Sequence, residues 1–158
     1  MSSASRNKPR IVVVGIGNLL LKDEGIGVHV AQALEKALSP IDFEVIDGGT
    51  SPDLLRLVDC VDRLILVDAA KGGGEPGDIY RFTLDGLSPE NSVNTSVHQI
   101  GLVETLMVMR ALGTAPEKTV IIGVEPKEID WGLELSPELE RKLPEIIHVV
   151  HEELTTNR

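Results

Sequence analysis

The chain has a single cysteine, Cys60, among 158 residues. That excludes an intramolecular disulfide and any cysteine-rich metal cluster, and it suits a reducing cytoplasm. Aromatic residues are scarce, with two Phe, one Tyr and one Trp, so the apolar runs are aliphatic. Basic residues are outnumbered, 15 Lys and Arg against 25 Asp and Glu, for a net charge of -10. A surface of that sign repels phosphate backbones, so no nucleic-acid partner is expected and a basic peptide is electrostatically easier. No apolar run is long enough to span a bilayer, so no membrane insertion is expected. Also missing are a GxxxxGK[ST] phosphate loop, a GxSxG nucleophile elbow and an HExxH zinc motif. There is no internal repeat and no low-complexity linker.

What is present suits one domain with a substantial core. Arg6, Lys8 and Arg10 precede an apolar run and loosely imitate a signal peptide. Gly15, Gly17 and Asn18 interrupt that run, and no small-x-small cleavage site precedes Lys22-Asp23-Glu24. Residues 1–9 are therefore expected to be a disordered tail, and residues 10–158 a single domain.

Hydrophobic patterning gives the elements. Arg10 to Gly15 is a continuous β-branched run, the pattern of a strand covered on both faces. A first helix is predicted from near Glu24 to about Leu38, with Ile26, Val30, Leu34 and Leu38 as its buried stripe. Ser39-Pro40 ends it. A strand from Phe43 to Ile46 is followed by Asp47-Gly48-Gly49-Thr50, and Ser51-Pro52 opens a short second helix. Arg63 to Val67 is a third strand with Asp68 directly after it. Ala69 to Gly77 is a Gly-rich loop, the most flexible-looking piece of the chain. Asp78 to Phe82 is less apolar and reads as an edge strand. Leu84 to Val93 is a loop. A third helix runs from Thr95 or Ser96 to Leu112 and is apolar enough to pack deeply. Lys118 to Val124 is the fifth strand. After a loop from Glu125 to Leu135, Ser136-Pro137 caps a last helix with buried positions Leu139, Leu143, Ile146 or Ile147, Val150 and Leu154.

Strands alternating with helices predict an α/β fold, a three-layer α/β/α sandwich with a mostly parallel sheet. Ligands in such sheets bind beyond the carboxyl ends of the strands. Asn18 and Glu24 follow the first strand, Asp47 the second and Asp68 the third, so all four belong to one edge.

Three readings compete there. Gly15-x-Gly17 after the first strand imitates a dinucleotide fingerprint, but Leu20 stands where the third glycine belongs. Asp23 and Glu24 would repel a pyrophosphate at the helix N-terminus. A metal reading takes Glu24, Asp68 and His98, two carboxylates and an imidazole. That mixed oxygen and nitrogen set suits borderline first-row ions such as zinc, nickel or manganese. Three ligands leave positions open for water or for a partner's ligands. Structural roles compete with it: Glu24 as an acid favoured by the helix dipole, Asp68 as a loop cap, His98 as a satisfied first-turn histidine. The strand-end rule favours Glu24 and Asp68 jointly but does not by itself bring His98 to them. His148 and His151 share a face of the last helix with no third ligand evident, so a solvated face is expected. His29 has no assigned role, and Cys60 is expected to be a buried inert thiol.

These segments resemble the [NiFe]-hydrogenase maturation endopeptidases. The resemblance is carried by GIGNLLLKDEGIGVHVAQAL at 15–34, DGGT at 47–50, LILVDA at 64–69, SVHQIGLVETL at 96–106 and IIGVEPKEIDWGLELSPEL at 121–139. It covers nearly all of the chain after the tail. It implies a twisted five-stranded sheet with one antiparallel strand, of phosphorylase/hydrolase-like type, and the strand at Asp78–Phe82 is the candidate for that strand. It also implies a cytoplasmic peptidase, expected as a monomer. Such an enzyme removes a C-terminal extension from the hydrogenase large-subunit precursor once nickel is in place. The metal contacts carry over as Glu24, Asp68 and His98. Nickel then arrives with the precursor, and no organic cofactor is implied. Asn18, Asp47, Gly48, Gly49 and Thr50 are candidates for gripping the substrate, and the loop 69–77 for a mobile rim. The alternatives are a nickel-checking chaperone that does not hydrolyse, and a nucleotide-binding α/β protein.

Overall fold

The aliphatic runs form the middle of one five-stranded sheet. In the computed structural model, β1 (Ile11–Ile16) and β3 (Arg63–Ala69) are buried along their whole length, as runs covered on both faces must be. The structure describes residues 8–37, 43–50, 53, 60–84 and 97–156, and for 97–103 the backbone only. The expected tail lies mostly outside these residues, as do the expected short helix opened by Ser51-Pro52 and the position of Leu38.

The strand order is β2-β1-β3-β5-β4, with β2 at Glu44–Gly49, β5 at Lys118–Val124 and β4 at Ile79–Thr83. β1, β2, β3 and β5 run parallel, and β4 pairs antiparallel with β5. The expected edge strand is therefore the antiparallel one. Its connection from β3 passes over the carboxyl end of β5, because Ile79 pairs with Val124.

Side-chain alternation divides the core into two layers. Val13, Ile65, Val67, Ile122 and Val124 face α1 (Ile26–Ala37) and α3 (Pro137–Thr155), meeting Ile26, Val30, Leu34, Leu139, Ile146, Val150 and Leu154. Val12, Val14, Ile16, Leu64, Leu66 and Ile121 face α2 (Val97–Ala111), meeting Leu106 and Met109. Each fully buried aliphatic side chain contributes about 1.5–3 kcal/mol. Leu143 and Ile147 are only partly buried against the first layer. Over its described side chains, 104–111, α2 packs less deeply than the composition suggests. Leu106 and Met109, three apart, are buried, while Val108 is exposed and so is Leu112 just beyond the helix. One stripe of a helix that covers a sheet meets the sheet, and the rest meets solvent.

Boundaries differ from the sequence reading at the carboxyl edge. Asp47, Gly48 and Gly49 lie within β2, and Asp68 lies within β3. The first helix starts at Ile26, after a 3-10 turn at Lys22–Gly25 that contains Glu24. Cys60 is exposed, not buried, in a turn with φ +59°. At the opposite end of the sheet, buried Arg63 donates to the carbonyls of Glu153 and Thr156, satisfying the last turn of α3.

Candidate active site

The carboxyl edge is assembled by close backbone contact. A Cβ on Gly27 would lie 2.1 Å from the Val67 carbonyl oxygen and 2.3 Å from that of Ile16, so α1 sits directly on the ends of β1 and β3. A Cβ on Gly17 would lie 2.2 Å from the Glu24 carbonyl oxygen. Only glycine allows these approaches. They hold Glu24, three residues before Gly27, at the edge where Asp68 follows Val67. Both carboxylates are buried.

Topology brings α2 to the same edge. The helix ends at Ala111, shortly before β5 starts at the opposite edge, so it runs back along the sheet. Fifteen helical residues span about 22 Å, close to the length of the seven-residue β5. The first turn of α2, which contains His98, therefore lies toward the carboxyl edge. Alternation in β3 sets Asp68 in phase with Leu64 and Leu66, on the face that α2 covers. Among the described side chains, no three His, Cys, Asp or Glu residues form a metal-holding group, and the His98 side chain is outside that set.

The other expected contacts gather beside Gly17. Gly17 N–H donates to the Gly49 carbonyl at 2.9 Å. The β1–β2 register shifts between Gly15 and Ile16, which pair with Asp47 and Gly49, and so bulges Gly48. Asp47 is exposed, and its Oδ1 accepts from Gly49 N–H at 3.1 Å. Asn18 Oδ1 accepts from Leu20 N–H at 2.9 Å. Thr50 is exposed.

Two acids the sequence reading gave no role organise this edge. Asp23 is fully buried. Its Oδ2 accepts from Lys127 N–H, Glu128 N–H and the Ser136 hydroxyl at 2.8–2.9 Å, and its Oδ1 from Ser136 N–H at 2.8 Å. Around it, Lys22 N–H donates to the Gly132 carbonyl and Gly132 N–H to the Leu20 carbonyl, both at 2.9 Å. The β1–α1 and β5–α3 loops are thereby laced together across the end of β3. Lys22 also pairs with Glu128 at 3.0 Å, a bond that raises the lysine's pKa. Glu125 is the second organising acid. Its Oε1 accepts from Gly72 N–H, Gly74 N–H and the Tyr80 hydroxyl at 2.7–2.9 Å. The loop expected to be the most flexible is pinned by these bonds. The only hint in the sequence was two acids bounding loops, without their partners.

On the last helix His151 is partly buried. His148 is exposed and pairs with Glu152 at 3.0 Å. His29 is half-buried, with Nε2 buried and without a hydrogen-bond partner among the described residues. Burial lowers its pKa.

The sequence profile of the hydrogenase maturation proteases matches residues 28–153. The chain belongs to this family. It is 38% identical over 144 residues to the hydrogenase expression/formation protein HupD of Rhizobium leguminosarum bv. viciae, covering 88% of this chain and 71% of that one. It is 35% identical to the hydrogenase 2 maturation protease of Escherichia coli (strain K12), over 83% of this chain and 82% of that protein. The fold matches the hydrogenase maturating endopeptidase HybD from E. coli with a TM-score of 0.79 and 32% identity, covering 92% of this chain and 91% of that one.

Proposed function

We propose that this protein is the endopeptidase that removes the C-terminal extension of a nickel-loaded [NiFe]-hydrogenase large-subunit precursor. Family membership supports the reaction class. The observation that carries the site assignment is the joint placement of buried Glu24 and Asp68 at the edge near which α2 begins.

In this proposal the precursor brings nickel on its own thiolates, and Glu24, Asp68 and His98 complete the shell. Two carboxylates and an imidazole suit a borderline ion. Docking through the metal sets the scissile peptide by proximity. Held there, the ion would supply Lewis-acid chemistry for the scissile carbonyl or for a water. In the alternative route the ion serves recognition, and a carboxylate, Asp68 or exposed Asp47, takes the proton from water. Asn18 and Asp47 to Thr50 grip the substrate backbone. In support, β2 is a sheet edge, whose outward groups can pair with an extended segment. The cytoplasm is the proposed compartment, and a monomer the proposed form. No helix among the described residues is long and apolar enough to cross a membrane.

The test is incubation with nickel-loaded and nickel-free precursor, with tail release followed by mass spectrometry. Release from the loaded precursor alone is expected. Tight binding of the loaded precursor with no release would make the protein a nickel-checking chaperone instead.

A further inference from the structure

Large apolar side chains stand in solvent on the two laced loops. Trp131 is 75% exposed, Leu133 67% and Leu20 53%, and Ile129 is exposed as well. Single exposed apolar residues are ordinary. Here four belong to two short segments joined by the Leu20–Gly132 and Lys22–Gly132 hydrogen bonds. Trp131 is also the only tryptophan in a chain with four aromatic residues. Spending it on solvent, in a protein so poor in aromatics, marks a contact surface.

The patch is preorganised. Asp23 ties the loop beneath it to Lys127, Glu128 and Ser136, so little ordering is left for a partner to impose. It is also continuous with the site, since Leu20 and Glu24 belong to one connection between β1 and α1. Its border is acidic: Glu128, Asp130 and Glu134 lie on the same loop, where Lys22 pairs with Glu128 at 3.0 Å.

We propose that this patch is a docking surface for the precursor, taking an apolar segment flanked by basic residues while the metal-bearing part reaches Glu24 and Asp68. This rests on the peptidase reading above. The patch grips ground state and transition state alike, and loss of such uniform binding raises KM and weakens affinity while kcat is kept.

The test compares the wild type with Trp131→Ser, Leu133→Ser and Leu20→Ser, with Leu112→Ser at the opposite edge as control. Affinity for nickel-loaded precursor, KM and kcat for tail release, and Tm are measured. Patch variants are expected to bind on the order of tenfold more weakly, with KM raised, kcat nearly kept and Tm unchanged. The control should match wild type. In a second readout, 5-fluorotryptophan at the single tryptophan gives one fluorine resonance, expected to shift on adding precursor. Unchanged affinity in all three variants, or an unmoved resonance in a saturated complex, overturns the proposal. So does wild-type self-association that Trp131→Ser abolishes, which would assign the patch to a second copy. Wild type that binds through the patch without releasing the tail supports the surface and sinks the peptidase reading. Wild type that neither binds nor cleaves overturns both.

Discussion

Asp23 accepts both the backbone N–H and the hydroxyl of Ser136, at 2.8 Å each, across 113 residues of sequence. Ser136 is also the N-cap of α3, accepting from Leu139 N–H, with Pro137 at the first helical position. One carboxylate thus joins the turn that carries Glu24 to the start of the last helix. Asp23→Ala would strand four backbone or hydroxyl donors, and a charged acceptor's bonds are the stronger kind. We expect a loss of about 3–5 kcal/mol in urea unfolding. Ser136→Ala should cost about 1–2 kcal/mol. The double variant should fall short of the sum, because the two share bonds. Strict additivity would refute the linkage.

Gly27→Ala sets helix propensity against packing. Propensity alone favours alanine by about 1 kcal/mol. The added Cβ would meet the Val67 and Ile16 backbone at 2.1–2.3 Å, where nothing flexible can yield. We therefore expect net destabilisation of about 3 kcal/mol, read by thermal unfolding. Neutrality would show that α1 does not sit as closely on the sheet.

Glu125 offers a spectroscopic prediction, because Tyr80 is the only tyrosine. Burial, then the hydrogen bond to Glu125, raises the Tyr80 pKa above 10.0. Near-ultraviolet titration should place tyrosinate formation above that value, and Glu125→Gln should bring it down. Because the folded pKa is raised, the unfolded chain loses its proton first. This stability is full below pH 10.0 and is lost as pH rises through the folded pKa. Glu125→Ala should also free the loop after Ala70, with faster tryptic cleavage at exposed Lys71.

His29 runs the other way. Burial lowers its pKa below 6.5 against weaker opposing pulls from Glu140 and Asp23. The unfolded chain therefore binds the proton first. Stability from this group is full above pH 6.5 and is lost as pH falls through the folded pKa. Compared with wild type, His29→Gln should lose less stability between pH about 8 and about 5.5. An identical pH dependence in the two proteins would remove His29 from this role.

Within the proposed site, Glu24→Gln, Asp68→Asn and His98→Ala should each abolish tail release while leaving Tm within a few degrees. These are near-isosteric or truncating changes at a strand-end site. A variant that keeps wild-type processing removes its residue from the metal contacts, and an unfolded one makes its role structural.

How much of this could be read from the residues follows from the distance over which each feature acts. The strand at Ile11–Ile16, the helix stripe Ile26, Val30 and Leu34, and the cap at Ser136-Pro137 rest on neighbours a few residues apart, so period and local chemistry sufficed. The edge holding Asn18, Glu24, Asp47 and Asp68 also followed from order along the chain, since parallel strands end together. Tertiary structure alone decided the rest. Asp23 and Glu125 look like solvated loop acids until the chain folds donors from 113 and about 50 residues away onto them. The Gly-rich loop loses its apparent freedom for the same reason, and Cys60 emerges exposed where burial was the ordinary expectation. Trp131 and Leu133 have the composition of core residues, and only the backbone bonds that turn their loop against Leu20 and Lys22 leave them in water. Hydrophobicity says that a side chain prefers burial. Which side chains obtain it is settled by three-dimensional packing.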